Sequence, residues 1–93
     1  MSVKEKFKLE KYAGKKYVMR CKTEEEAKIF CRFLHEHGKR WNSGRSYAEE
    51  TGWRYRRENT CYVFNAGLRG NIEHYRKSNY TILNFDDYDW RDI

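Results

Sequence analysis

The 93-residue chain has no proline, only six glycines, and no Gly/Ser-rich or low-complexity segment. With no linker composition to divide it, this length predicts one domain. No apolar run reaches the roughly 18 residues that a membrane-spanning helix needs. The amino-terminal "MSVKEKFKLEKYAGKKY" also lacks the apolar stretch of a secretory signal, so a cytoplasmic protein is expected. Cysteine is sparse and odd in number. Cys21, Cys31 and Cys61 each lie among core-type neighbours, which predicts buried thiols rather than a disulfide framework. No C-x-x-C or H-x3-H pair is present, so neither a metal site nor a cofactor is expected.

The bulk that is present is aromatic and basic. Hydrophobic residues make up 39% and charged residues 37%, but aromatics reach 17% and supply core material that a disordered chain would lack. Net charge is +6, unevenly spread. Of 20 bases and 14 acids, residues 86–93 ("DDYDWRDI") hold one and four, leaving 19 bases against 10 acids before them. The chain therefore divides into a basic arm over residues 1–14, a domain over 15–85 and an acidic tail over 86–93. A basic body favours anionic partners: nucleotides, nucleic acid or an acidic protein surface.

Periodicity predicts an α+β fold. "KKYVMRC" alternates Tyr17, Met19 and Cys21 against Val18 and Arg20, as a half-buried strand does. "TEEEAKIFCRFLHEHG" has Thr23 as N-cap, Glu26 in capping-box position, an apolar stripe at Ala27, Phe30, Cys31 and Leu34, and Gly38 as the stop. A short strand is expected at Arg40–Asn42. "WRYR" and "TCYVFN" read as an antiparallel hairpin around "REN", "AGLRGN" as a loop, "NIEHYRKSN" as a short helix capped by Asn71, and "YTILNF" as a last strand. The order β-α-(β)-β-β-α-β implies a mostly antiparallel sheet with the long helix across one face.

The segment "KRWNSGRSYAEETGWRY" carries the densest set of ligand-type side chains. Arg40, Arg45, Arg54 and Arg56 are phosphate partners by chemistry. Ser43 and Gly44 suit a tight anion-binding turn; Trp41, Tyr47, Trp53 and Tyr55 could stack on a base, with Trp41, Tyr47 and Trp53 the expected sandwich. Strand alternation would put Trp53 and Arg54 on opposite faces, so a single pocket needs the loop to fold over or a second subunit to contribute. The alternative is that the tryptophans plug the core while the arginines only solvate the loop. A secondary anion site is expected at Gly67, Arg69 and Gly70, ahead of the short helix. His35, His37 and His74 could serve acid–base cleavage of RNA, but their places at helix ends are explained by capping and the dipole, and no nucleophile or paired-carboxylate arrangement accompanies them. No enzyme is expected.

Three stretches, "CKTEEEAKIFCRFLHEHGKRW", "ENTCYVFN" and "YTILNFDDY", resemble a loose group of small, largely uncharacterised α+β proteins encoded by phages and prophages of low-GC Gram-positive bacteria. The resemblance spans about Tyr17 to Tyr88. It implies a protein acting in the bacterial host cytoplasm by stoichiometric binding against a host system. The expectation is a counter-defence protein that captures an anionic nucleotide-type immune signal, with two copies able to share the ligand as a homodimer. The alternative is a nucleic-acid binder or a direct inhibitor of a host nucleic-acid-guided effector, of anti-CRISPR type. There the lysine arm (Lys4, Lys6, Lys8, Lys11, Lys15 and Lys16) would track a phosphate backbone.

Overall fold

Alternation in the strand-forming segments decides how the layers stack. The computed structural model describes residues 4–12, 16–63 and 67–90. Along the chain they form β1 (Glu5–Lys6), α1 (Leu9–Tyr12), β2 (Tyr17–Arg20), α2 (Glu24–Glu36), β3 (Thr60–Val63), β4 (Leu68–Asn71), α3 (Ile72–Lys77), β5 (Thr81–Asn84) and β6 (Tyr88–Asp89). Short 3₁₀ turns cover Trp53–Tyr55, Arg57–Asn59 and Phe85–Asp87. The main sheet runs β4-β3-β2-β5, with β2–β3 and β3–β4 antiparallel and β2–β5 parallel. This is a small α+β domain. Among the described residues no helix is long and apolar enough to cross a membrane.

Met19, Cys21 and Tyr62 point to one side of the sheet, where Ala27, Phe30, Cys31, Phe33 and Leu34 of α2 bury against them. Val18 and Cys61 point to the other side and meet Ile72 and Tyr75 of α3. The period of two thus sorts the core into two clusters with one sheet between them. Capping of α2 follows its sequence. Thr23 Oγ1 accepts from the Glu26 amide at 3.2 Å, and Glu26 Oε1 accepts from the Lys22 amide at 2.8 Å. Gly38, at φ +75, ends the helix. All three cysteines are buried and unpaired as thiols.

Three elements differ from expectation. "WRYR" is a 3₁₀ turn rather than a strand, because Trp53 turns inward and donates its indole N–H to the Cys21 carbonyl at 3.0 Å. The hairpin partner of β3 is instead Leu68–Asn71, within the segment expected as a loop. The strand expected at Arg40–Asn42 is reduced to an isolated Arg40–Ser46 bridge.

The arm and the tail are not appendages over their described parts. β1 pairs in parallel with β6, Glu5 opposite Tyr88 and Lys6 opposite Asp89. Phe7 and Leu9 are buried, and the Trp90 ring stacks on Phe85 at 4.5 Å and on Phe7 at 5.4 Å. Aromatic burial outweighs the acidic composition here, since three rings remove far more apolar area from water than the exposed Asp86 and Asp87 require to be solvated. Gly14, expected to end the arm, lies outside the described residues.

Candidate anion-binding cleft

The segment after α2 folds on itself before it touches anything else. Arg40 bridges Ser46, the Trp41 amide donates to the Arg45 carbonyl at 2.9 Å, and the Gly44 amide returns to the Trp41 carbonyl at 2.8 Å. This is a tight turn with Asn42 and Ser43 at its tip. The Trp41 indole donates to the Glu50 carbonyl at 2.7 Å, and Glu50 Oε1 accepts from the Gly52 amide at 2.9 Å. The loop is thereby tied across its own width.

The two glycine loops, separate in sequence, meet at this turn. The Asn42 amide donates to the Gly67 carbonyl at 2.9 Å. Gly67 is left-handed at φ +64, and a Cβ there would lie 2.6 Å from the Arg40 carbonyl oxygen, so only glycine permits the approach. β4 then places Arg69 opposite Tyr62, on the α2 side of the sheet. Its guanidinium carbon lies 5.0 Å from the Trp41 ring centroid and 5.3 Å from that of Tyr55. Arg69 Nε is buried and has no hydrogen-bond partner. Among the described residues Arg69 forms no ion pair either; the rings hold its cation.

Asn42, Ser43, Arg45, Glu50, Tyr55 and Arg69 line an open cleft of ≈ 520 Å³ with Trp41 and Gly67 at its base. Such a volume suits a small-molecule ligand. Glu50 is the acid of the cleft; its Oε2 stands 4.0 Å from Arg54, whose Nη2 donates to the Tyr55 hydroxyl at 3.0 Å. Beneath, burial pushes the Cys31 thiol up to about 12 and raises the Tyr62 hydroxyl, which donates to the Thr51 carbonyl at 2.9 Å. That floor is neutral at physiological pH, so the cleft takes its charge from its rim.

The aromatic part of the expected site is corrected. Trp41 and Tyr47 are 6% and 1% exposed and pack on each other at 4.3 Å, while Trp53 is held inward by its bond to Cys21. These rings belong to the core and cannot sandwich a base, because closing the loop onto α2 buries more apolar area than leaving them open. Ser43, Gly44 and Arg45 stay at the turn, and Arg40 reaches back to the Gly44 carbonyl at 3.4 Å. Arg54 sits at the rim through Tyr55. Arg56 lies toward the α3 side, where its charge offsets the upward push of burial on the Tyr75 hydroxyl. Gly67 and Arg69 join the main site instead of forming a second one. Gly70 does not: it faces Tyr75, with 3.0 Å from a would-be Cβ to the ring. Asn71 Oδ1 accepts from the Glu73 amide, capping a helix of six residues. Of the rings expected to stack on a base, Tyr55 is the one that lines the cleft and stays exposed. Asn42 and Glu50 were not singled out by sequence; the glycines at 52 and 67 were the available signal, marking where backbones approach.

The histidines are dispersed. His35 Nδ1 bonds Ser46 Oγ at 3.1 Å, His37 Nδ1 bonds the Phe33 carbonyl at 2.9 Å, and His74 sits edge-on to Tyr75. Among the described residues no group of three His, Cys, Asp or Glu is arranged around a common point. No protein-family model matches the chain, and neither does any curated protein or solved structure.

Proposed function

We propose that this protein is a non-catalytic binder of an anionic, nucleotide-type ligand, which it holds in the cleft between the Asn42–Arg45 turn and Arg69. The observation that carries the reading is Arg69: a half-buried guanidinium, held over Trp41 and Tyr55, with Nε unpartnered and no ion pair among the described residues. Preorganised by two rings, it loses little entropy on meeting phosphate, and Arg45 and Ser43 stand beside it. The counter-defence role and the host-cytoplasm setting rest on the resemblance to phage proteins alone.

The test is thermal unfolding with cyclic mono- and dinucleotides, ADP-ribose and short single-stranded DNA and RNA, at low and near-physiological salt. A ligand at 100 times its Kd adds about 2.7 kcal/mol, a rise of about 10 °C for a domain this small. The rise should survive salt and vanish in Arg69→Gln. An unchanged melting point across the panel would sink the reading.

A second reading has its own observation. Lys6, Lys8 and Lys11 line an open cleft of ≈ 390 Å³ with Tyr12 and Tyr88. A nucleic-acid backbone would fit exposed lysines there, and its affinity would fall with salt by a log–log slope of about −0.7 to −0.9 per phosphate contacted.

A further inference from the structure

An anion site gains nothing from a carboxylate, yet Glu50 lines this one together with Arg45 and Arg69. Its turn-holding role takes one lone pair of Oε1, which accepts from the Gly52 amide at 2.9 Å. The other oxygen, Oε2, is 4.0 Å from Arg54, beyond hydrogen-bond length. The carboxylate is thus fixed in direction by its backbone bond while keeping acceptor capacity toward the cleft. Tyr55, 58% exposed, supplies the open aromatic surface beside it. A ligand that matches this wall needs negative charge at one end and paired N–H donors at the other.

Resting on the anionic-nucleotide reading above, we infer that the cleft selects guanine nucleotides, with Glu50 accepting from the base and Arg45 and Arg69 holding the phosphate. Guanine presents N1–H and the N2 amino group side by side, two parallel donors that suit one carboxylate. Adenine places the N1 acceptor beside its N6 amino group, and cytosine places N3 beside N4, so each would set a lone pair against Glu50. Hypoxanthine keeps N1–H but lacks the amino group. Uracil has N3–H flanked by two carbonyls. The ranking therefore follows from the donor pattern of the edge, as in base recognition generally.

The experiment is isothermal titration calorimetry of the full chain with GMP, IMP, AMP and inorganic phosphate, repeated on Glu50→Gln. Glutamine retains a carbonyl acceptor for the Gly52 amide, and a thermal melt confirms that the variant is folded. GMP should bind roughly tenfold or more tightly than AMP, with IMP between them. In Glu50→Gln the GMP advantage should disappear, with GMP binding weaker and AMP binding no weaker than before. Equal binding of GMP, AMP and phosphate would overturn the guanine selection and leave an anion site standing. No binding of GMP would overturn the guanine selection, and no binding of any of the four together with an unchanged melting point across the nucleotide panel would overturn both.

Discussion

Gly52 and Arg69 occupy space that depends on each other. Gly52 is left-handed at φ +70, and a Cβ there would come within 2.7 Å of Arg69 Cδ. Gly52→Ala should cost about 1–2 kcal/mol from backbone strain alone, plus the displacement of the guanidinium from its two rings. In urea denaturation the double variant Gly52→Ala with Arg69→Ala should cost less than the two single changes added together, because the second removes the obstacle created by the first. Strict additivity would mean that the contact carries no energy. At the same scale, the indoles of Trp41, Trp53 and Trp90 each donate to a backbone carbonyl, of Glu50, Cys21 and Phe85 respectively. Each tryptophan ties an irregular segment to the packed body, which accounts for the cost of placing such residues in loops.

Elements divide into those that stand on local signals and those that stand on distant partners. Thr23→Ala removes the α2 cap and should lower stability by about 1 kcal/mol, seen as a drop of about 5 °C in Tm. Trp90→Ala should cost about 3 kcal/mol, at the low end for a large aromatic because the ring is half-buried. Asp86→Asn, which only loosens an exposed Lys22 pair at 3.2 Å, should stay within about 0.5 kcal/mol. Equal effects of Trp90→Ala and Asp86→Asn would mean that residues 86–90 behave as the separate acidic tail expected from composition.

That contrast explains what was legible in the sequence. α2 was readable in full, since cap, stripe and glycine stop lie within one stretch, and the faces of β2 and β3 followed from alternation. Residues 53–56 alternate equally well, but the Trp53 indole finds the Cys21 carbonyl and the pattern is overruled by a bond no local window contains. The identity of β3's partner and the docking of residues 85–90 on Phe7 are likewise long-range facts. Of the cleft, Ser43, Arg45, Gly67 and Arg69 were legible as chemistry. Their convergence depends on the 2.9 Å bond from Asn42 to Gly67, which composition cannot express.

For the whole molecule the buried thiols set an upper pH limit. Burial pushes Cys31 and Cys61 up to about 12 and Cys21 well above its ordinary value. A raised folded pKa means the folded state keeps a proton that the unfolded chain releases near 8.5. The stability it contributes is complete below that pH and is lost as pH rises toward the folded value. Each thiol removes about 1.4 kcal/mol per pH unit, so three remove about 4. Far-ultraviolet circular dichroism should hold to about pH 9 and collapse by about pH 11 for a domain of ordinary stability. In Cys61→Ala the dependence of stability on pH should weaken by about a third between about pH 9 and 10, below the range where the buried tyrosines Tyr47 and Tyr62 add to it. A profile flat to pH 12 would show the thiols to be already accessible.

The parallel pairing of β1 with β6 also fixes an order of events in the cell. The Tyr12 and Tyr88 hydroxyls lie 3.1 Å apart although 76 positions separate them along the chain. On a translating ribosome Phe7 is made well before its docking partners Tyr88 and Trp90. α2 can coil as soon as it leaves the exit tunnel, whereas the nascent arm must wait with its aromatic face open to whatever else is near. Completion of this fold therefore waits until residues 88–90 have left the exit tunnel.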